Sequence, residues 1–454
     1  MGERNRVAWN PFGLPVPSPS YVWPRYGSSA VRESFCYHSE QRARAKALTC
    51  PPNAAETAAI TSSYFGAFKI RYPVPDIHLE GPWFRSILRR LNPKSSPGLG
   101  LFRGYPTIGD ALGWDGANHT NAINVAVLTE AVRVKLANLL LGKPPDDLML
   151  FIKEEPHKKT KAEKGAWRLI AVPSLEDQVV DRVLMTTWQD TEQRSLSRIP
   201  PKSGWSPLPT GHYFFERTFS GPVLATDCSA FDWTVPEWAC ELLLELSIDM
   251  LERDSPGYVR LLRARWAQVL RDAVVRLPDG TRWRQTGWGV MKSGWFRTIA
   301  FNSCVQYLIN ALAWVRFRGP ERPPTIWTMG DDVIMKWDQT WDVEAFERAL
   351  ATTGIMVKQS STTREFAGFE IDSGCVTPLY GEKHHFALFH ASPVLKRELA
   401  TAYCMLYAMA KPGFRDVVKQ YLEPHSALLW RHCRLWARGV AVHEFGTLAL
   451  PVTI

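Results

Sequence analysis

Two adjacent carboxylates stand in the sequence Gly330-Asp331-Asp332, between the apolar runs 325–329 and 333–336. These runs predict two strands that face each other across a tight turn. Neighbouring carboxylates repel each other, and a divalent cation relieves the repulsion. A solvated hairpin turn is the alternative explanation of the triplet taken alone. A metal site at this turn therefore requires a further carboxylate.

A third carboxylate, Asp227, ends the short apolar strand predicted over residues 223–226. Together with Asp331 it could hold two Mg²⁺ or Mn²⁺ ions about 4 Å apart for phosphoryl transfer. Asp232 follows closely, so one of these carboxylates can bind metal while the other accepts from a hydroxyl group. A role in a turn or a helix cap is the alternative for Asp232 alone.

Polar residues also mark the segment 292–302, which predicts a glycine-containing loop that leads into a helix. Thr298 and Asn302 share one face of that helix because they are four positions apart, and Ser293 precedes them in the loop. Helix capping and bonds from hydroxyls to the backbone would explain a single such residue. Three of them beside a candidate metal site favour a role in binding.

The elements that must position these residues follow a clear order. A helix is expected from Pro236, a hairpin around 278–280, and a buried helix over 296–317. A helix capped by Asp342 and a strand at 355–358 come next. This order predicts an α+β fold in which helices cover one face of a sheet.

Composition indicates the kind of partner. The chain has 454 residues, 54 Lys and Arg against 45 Asp and Glu, a net charge of +9 and 12% aromatic residues. A basic, aromatic-rich chain suits a polyanion such as nucleic acid. The basic excess is concentrated in residues 151–170 and 383–454.

Other classes of protein fit poorly. The eight cysteines are scattered without a CxxC pair, which argues against a usual zinc site and for a reducing compartment. No uncharged apolar run reaches about 18 residues, so no transmembrane helix is expected. The glycines at 98–104 have the wrong spacing for dinucleotide binding.

Seven short motifs, in family order, resemble those of the viral RNA-dependent RNA polymerases, above all the enzymes of sobemoviruses, poleroviruses and barnaviruses. The resemblance covers residues 94–371. The matching residues are Asp227 and Asp232 for motif A, Ser293, Gly294, Thr298 and Asn302 for motif B, Gly330-Asp331-Asp332 for motif C, Lys358 for motif D, 365–370 for motif E, Lys153, Glu155, Lys161 and Arg168 for motif F, and 94–98 for motif G.

The resemblance implies a right-hand polymerase fold in which helices back an antiparallel palm sheet. It places the fingers at 61–215, the palm at 216–382 with a fingers insertion at about 253–288, and a helical thumb at 383–454. The prolines before residue 25 predict that residues 1–60 form an extended N-terminal arm.

The resemblance also implies the catalytic roles. Asp227 and Asp331, assisted by Asp332, would hold two Mg²⁺ ions, with Mn²⁺ as a substitute. Lys358 would protonate the pyrophosphate leaving group.

Eight residues would bind the incoming nucleotide. Lys153, Lys161 and Arg168 would grip the triphosphate, and Glu155 would hold the arginine in place. The ribose 2′-hydroxyl would be recognised by Asp232 and Asn302, helped by Ser293 or Thr298. Gly294 of motif B completes the nucleotide-binding set.

Two departures from the family pattern stand out. Motif B carries the bulky run 295–297, which leaves its template contact open, and motif E lacks a central Cys or Ser, which weakens its expected contact with the primer strand.

Two rival functions remain at this point. A reverse transcriptase shares motifs A and C but typically has an aromatic residue where Asp232 stands. A basic RNA-packaging protein would explain the charge, but not three carboxylates at strand ends and turns.

The expected partners are an RNA template, the nascent RNA duplex and nucleoside triphosphates, together with a viral protein primer and other replicase proteins. The expected location is the host cytoplasm, peripheral to membrane-bound replication complexes.

Overall fold

The computed structural model describes residues 7–440, and its N-terminal part contains two long helices. The elements are β1 (Tyr21–Val22), α1 (Ser28–Leu48) and α2 (Ala54–Ala67). The expectation of an extended arm to residue 60 is therefore wrong from residue 28 onward. The clustered prolines end at residue 24, and the segment 28–48 contains neither Pro nor Gly to interrupt a helix. Residues 1–6 of the predicted arm lie outside the described part.

Helices and three short strands make up the next part of the chain. They are α3 (Gly81–Arg89), α4 (Ile108–Leu112), α5 (Ala122–Leu140), β2 (Leu148–Ile152), β3 (His157–Lys158), α6 (Lys159–Ala162), β4 (Leu169–Val172), α7 (Leu175–Arg194) and α8 (Gly211–Thr218).

Most strands lie in the segment that follows. Its elements are β5 (Val223–Cys228), α9 (Phe231–Thr234), α10 (Glu237–Asp249), α11 (Pro256–Leu270), β6 (Val274–Arg276), β7 (Arg282–Arg284), α12 (Thr298–Arg318), β8 (Ile326–Met329), β9 (Asp332–Lys336), α13 (Val343–Ala351), β10 (Val357–Ser361), β11 (Glu365–Phe366), β12 (Phe369–Asp372) and β13 (Cys375–Pro378). The predicted hairpins at 274–284 and 325–336 are both present, and Asp342 caps α13 as expected.

Four sheets organise the strands, and the smallest consists of β1 and β3 alone. The largest antiparallel sheet has the order β10-β5-β9-β8, and β11-β12-β13 form a smaller one. The remaining sheet has the order β4-β2-β6-β7, in which β2 and β6 run parallel. The hairpin β6–β7 thus joins the upstream strands β2 and β4, and the fingers insertion expected at about 253–288 stays a prediction.

Helix α12 forms the centre of the molecule. Every residue from Ala300 to Trp314 is buried, as expected for a helix that is covered on all sides. It packs against α2, α10, α13 and β8. Within residues 7–440, no helix is long and apolar enough to cross a membrane.

The C-terminal part is helical, as predicted, over the residues that the structure describes. It contains α14 (Gly381–Phe389), α15 (Lys396–Leu406), α16 (Phe414–Val417) and α17 (Trp430–Ala437), with short 3₁₀ or π turns at Pro393–Leu395, Val418–Leu422 and Glu423–His425. Residues 441–454 of the predicted thumb lie outside the described part.

The N-terminal segment connects distant parts of the fold. Phe12 and Leu14 join the apolar cluster of the C-terminal helices, and the Asn10 amide donates to the Phe389 carbonyl over 2.8 Å. Further along, β1 pairs with β3 in an antiparallel ladder. One short segment therefore contacts both the C-terminal helices and the upstream strands.

A buried ion pair ties α7 to the loop before α12. Arg297 donates two bonds to the Glu192 carboxylate, at 2.7 and 2.8 Å, and both side chains are buried. The Tyr72 hydroxyl donates to the same carboxylate over 2.8 Å. The pair satisfies two charges that would each be costly to bury alone.

We predict that Glu192→Gln destabilises the protein by about 3–5 kcal/mol, because it leaves the Arg297 charge buried without compensation. Chemical denaturation would measure the loss. Glu245, whose ion pair with Arg263 is half exposed, provides the control: Glu245→Gln should cost less than about 1 kcal/mol. Equal losses for the two variants would contradict the argument.

A second buried cationic side chain, Lys202, packs against β8. Lys202 is 1% exposed, and its ammonium donates to the carbonyls of Leu196 and Ile199 and lies 4.6 Å from the centroid of the Trp327 ring. Burial lowers the pKa of Lys202 to about 7. The Lys202 backbone amide donates to the Thr328 carbonyl over 2.8 Å, which holds this segment against the strand.

We predict that stability rises with pH between 7 and about 10 in the wild type and rises less in Lys202→Met. In this range the unfolded chain keeps the lysine proton, with a pKa near 10.4, while the folded chain has released it. The difference in slope should approach about 1 kcal/mol per pH unit. Unfolding measured at several pH values would test it, with the exposed Lys419→Met as control. Identical slopes for wild type and Lys202→Met would refute the assignment.

Candidate active site

The largest antiparallel sheet brings the three candidate metal ligands to one end of two neighbouring strands. Asp227 lies on β5, and Asp332 begins β9. Thr226, the residue before Asp227, pairs with Val333, the residue after Asp332. The two aspartates therefore lie at the same end of the ladder between β5 and β9. Asp331 occupies the turn before β9. The backbone thus gathers the three carboxylates that the sequence predicted as a cluster.

The turn itself depends on glycine and on α12. Gly330 has a φ of +66°, in the left-handed region that favours glycine. Its amide donates to the Ser303 hydroxyl over 2.9 Å, and that hydroxyl donates to the Ile299 carbonyl over 2.6 Å. The Gln306 side chain donates to the Asp331 carbonyl over 3.2 Å. Buried polar groups of α12 therefore fix the turn from behind.

Ser303 and Gln306 were not predicted as site residues. Their signal in the sequence is a pair of polar residues, three positions apart, within an otherwise apolar helix. Only the fold shows that this pair faces the turn.

Electrostatics in the cluster are unfavourable without a cation. Enclosure by the protein, followed by the charges of Asp331 and Asp227, raises the pKa of Asp332 to about 7. Enclosure and the Asp227 charge also raise the pKa of Asp331, although its side chain reaches solvent in the cleft. Oxygen ligands in such a setting match the preference of a hard divalent cation.

Lys358 already neutralises part of this charge. It lies on β10, which pairs with β5, and its ammonium forms an ion pair with Asp227. Over residues 7–440, no three Asp, Glu, His or Cys side chains stand ready as a metal-binding group.

Asp232 and Asn302 form the second part of the site. The Asn302 side-chain amide donates to the Asp232 carboxylate over 2.8 Å, and Asn302 is buried. The Asn302 Oδ1 atom is also buried and has no hydrogen-bond partner among the described residues. Burial raises the pKa of Asp232 to about 6, an increase that the Asn302 hydrogen bond opposes. A ligand hydroxyl could satisfy the free acceptor.

The other predicted motif B residues contact backbone instead. The Ser293 hydroxyl donates to the Leu169 carbonyl of β4 over 2.8 Å, and the Thr298 hydroxyl donates to the Trp295 carbonyl over 2.7 Å. A Cβ atom on Gly294 would lie 2.4 Å from the Ala171 carbonyl oxygen, so only glycine fits there. These residues fasten the loop to β4, and their predicted part in ribose recognition stays a prediction.

The bulky residues of motif B point into the core. Trp295 is buried, with its ring centroid 5.9 Å from those of Trp266 and Phe301. The Arg182 guanidinium lies 5.1 Å from the centroid of the Phe296 ring. Arg297 forms an ion pair with Glu192. Their bulk is used in packing beneath the loop.

Cations from two parts of the chain surround Glu155. Its carboxylate lies 3.3 Å from Lys153, 3.5 Å from Arg168 and 3.2 Å from Lys383. Burial alone would raise the pKa of Glu155, but these cations lower it overall. The predicted partnership of Glu155 and Arg168 is thus present in the structure. Lys383 on α14 was missed, because no local pattern relates it to residue 155.

Lys161 lies near the carboxylate cluster. Burial and the nearby charge of Lys358 lower the pKa of Lys161, while the charge of Asp227 opposes the decrease.

Tyr380, which lies near the carboxylate cluster, was not predicted as a site residue either. Burial and the nearby charges of Asp332, Asp227 and Asp331 raise its pKa to about 12.

Comparison with known proteins places these features in a family. The family model described as viral RNA-dependent RNA polymerase matches residues 85–376. Protein P1-P2 of Pea enation mosaic virus-1 is 28% identical over 367 residues, which cover 72% of this chain and 30% of that protein. Replicase polyprotein P2AB of Southern bean mosaic virus is 30% identical over 266 residues, which cover 54% of this chain and 26% of that protein.

The matched segments thus span about 30% of the length of the first of these relatives. The curated relatives of this chain include polerovirus and sobemovirus replicase proteins, and the motifs indicated both of these virus groups. Among solved structures, the Sicinivirus 3Dpol RNA dependent RNA polymerase superimposes with a TM-score of 0.69 at 15% identity and covers 96% of both chains. This likeness confirms the predicted α+β polymerase fold.

Proposed function

The chain belongs to the viral RNA-dependent RNA polymerases, and on that premise we propose that it synthesises RNA by template-directed nucleotidyl transfer. Its role would be to replicate and transcribe a positive-strand RNA genome. The observation that carries the proposal is the convergence of Asp227, Asp331 and Asp332 beside Lys358. Membership of this family argues against the two rival functions, reverse transcription and RNA packaging.

Enzymes of this family generally use divalent metal ions. For this chain we propose Mg²⁺, with Mn²⁺ able to replace it, held by Asp227, Asp331 and Asp332. Burial and the charges of neighbouring aspartates raise the pKa values of Asp331 and Asp332, and a divalent cation would offset the cost of keeping both carboxylates ionised. When bound, the ions supply activation of the primer 3′-hydroxyl and stabilisation of the leaving pyrophosphate.

The cationic side chains would act on the triphosphate. Lys153, Lys161 and Arg168 would bind its oxygens, and Glu155 would orient Arg168, which it contacts. The primer 3′-oxygen would lose its proton to solvent and bond to the α-phosphorus, while the bond from the α-phosphorus to the bridging oxygen breaks. Lys358 would then give a proton to the leaving pyrophosphate. Its ion pair with Asp227 supports this role by placing the ammonium at the cluster.

Asp232 and Asn302 would select ribonucleotides. The unpaired Asn302 Oδ1 can accept from a 2′-hydroxyl, which a deoxyribonucleotide lacks. Leaving a buried acceptor without a donor costs about 1–3 kcal/mol, so a nucleotide with the hydroxyl is favoured.

The proposed division into fingers (61–215), palm (216–382) and thumb (383–454) is supported by the separate sheets and the helical C-terminal part. The proposed partners are template RNA, the nascent duplex and nucleoside triphosphates, with a viral protein primer and other replicase proteins. A cytoplasmic site, peripheral to membrane-bound replication complexes, stays a prediction.

We predict that Asp331→Asn lowers RNA-templated nucleotide incorporation, measured with Mg²⁺ or Mn²⁺, by on the order of a thousandfold. The substitution keeps the shape of the side chain and removes the charge. Asp342→Asn provides the control, since asparagine caps a helix as well as aspartate does, and it should retain activity. Wild-type activity in Asp331→Asn would refute the metal assignment, and a preference for deoxyribonucleotides would favour reverse transcription.

A second prediction concerns the sugar. Asn302→Ala should reduce the preference for ribonucleotides over deoxyribonucleotides by about tenfold or more, which corresponds to about 1.4 kcal/mol. Single-nucleotide incorporation with matched NTP and dNTP pairs would measure the ratio. Asn310→Ala, on the same helix but bonded to Gln306, should leave the ratio unchanged. An unaltered ratio in Asn302→Ala would exclude this residue from sugar recognition.

A further inference from the structure

Helix α5 carries apolar side chains on the face that is turned to solvent. Its inner residues, Leu128, Val132, Leu136 and Leu139, are buried in the core. On the opposite side, Ile123 is 77% exposed, Val127 45%, Val134 48% and Leu140 52%. An ordinary surface helix would present polar residues there. This outer face, defined by residues 123, 126, 127, 130, 133, 134, 137 and 140, is unusual for solvent exposure.

The apolar surface extends beyond the helix. Leu101 and Tyr105 are also exposed, and Asn124 donates to the Tyr105 hydroxyl over 3.1 Å, so this loop lies beside the start of α5. Several exposed apolar side chains on one face mark an interaction site more often than a free surface.

Two charges interrupt the middle of the outer face. Glu130 and Arg133 form an ion pair on the surface, and each side chain is more than half exposed. Arg133 also lies 3.8 Å from the Glu80 carboxylate of the same chain. The small residues Ala126 and Ala137 flank Glu130 and Arg133 on either side. Within this face, residues 123, 126, 130, 133, 137 and 140 are spaced alternately by three and four positions, which is the repeat that lets two helices pack side by side.

The order of these residues is complementary to itself when the helix is reversed. In an antiparallel pair, Ile123 of one copy lies over Leu140 of the other, and Ala126 lies over Ala137. Glu130 then meets Arg133 of the second copy, and the reverse contact forms by symmetry. The alanines permit close approach, and opposite charges face each other across the two-fold axis.

We propose that two copies of this chain associate through the outer faces of α5, antiparallel and about a two-fold axis. Such an isologous contact requires a surface that complements itself, and the central charge arrangement is what singles out a second copy as the occupant. A 19-residue helix is about 28 Å long, so the contact is smaller than a standard stable interface and the dimer is concentration dependent.

Charge substitutions in the full-length chain test the pairing. Glu130→Lys alone and Arg133→Glu alone place like charges opposite each other in the dimer, and each should weaken self-association at least tenfold in sedimentation velocity. An equimolar mixture of the two variants should associate again, because each cross-pair then joins opposite charges. Loss of helix stability within one chain could not be rescued by mixing.

Val134→Glu should abolish association, while Val394→Glu, which changes an 89% exposed valine on another element, should leave it unchanged. Thermal unfolding would confirm that each variant remains folded. A wild-type chain that stays monomeric at several hundred micromolar would overturn the proposal, as would variants that fail to associate on mixing. Association that survives Val134→Glu would assign the dimer to another surface.

Discussion

Repulsion among three carboxylates is the constraint around which the centre of this molecule is arranged. Pairing of β5 with β9 brings Asp227 and Asp332 to the same end of the sheet, and Asp331 lies in the adjoining turn. The surrounding protein raises the energy of their charged forms, as the raised pKa values of Asp331 and Asp332 record. Lys358 offsets part of this cost through Asp227. In the proposed function, divalent cations would offset the rest of this cost.

Holding such a cluster requires a rigid support, and α12 provides it. Its buried polar side chains, Ser303 and Gln306, bond to the turn that carries Asp331, and Asn302 on the same helix bonds to Asp232. One helix thus contacts both the proposed metal-binding turn and the proposed sugar-binding pair. The ion pair of Arg297 with Glu192 anchors the beginning of this helix to α7, which explains why motif B tolerates bulky residues that face inward.

The sequence predicted those features that depend on local patterns. The strands that carry Asp227 and Asp332 and the cap at Asp342 follow from residue types within a few positions. The prediction that the extended arm reaches residue 60 was wrong, because prolines before residue 25 carry no information about the helix that begins at Ser28. Lys383 and Tyr380 escaped prediction because their relation to the site is created by folding over long separations. The hydroxyls of Ser293 and Thr298 show the converse limit: a family motif identifies the residues but not which atoms they contact in this state.

The two faces of α5 allow assembly and chemistry to be separated. Its inner residues pack against α7 and α11, and none of its side chains belongs to the carboxylate cluster or to the Asp232–Asn302 pair. Pairing through the outer face would bury Ile123 and Val134 without altering the contacts by which α7 holds Arg297. Charges play opposite parts in the two places. In the carboxylate cluster like charges lie side by side, and the proposed cations would relieve their repulsion. On α5 the unlike charges of Glu130 and Arg133 already pair within one chain, and the proposed dimer would pair them across its two-fold axis instead.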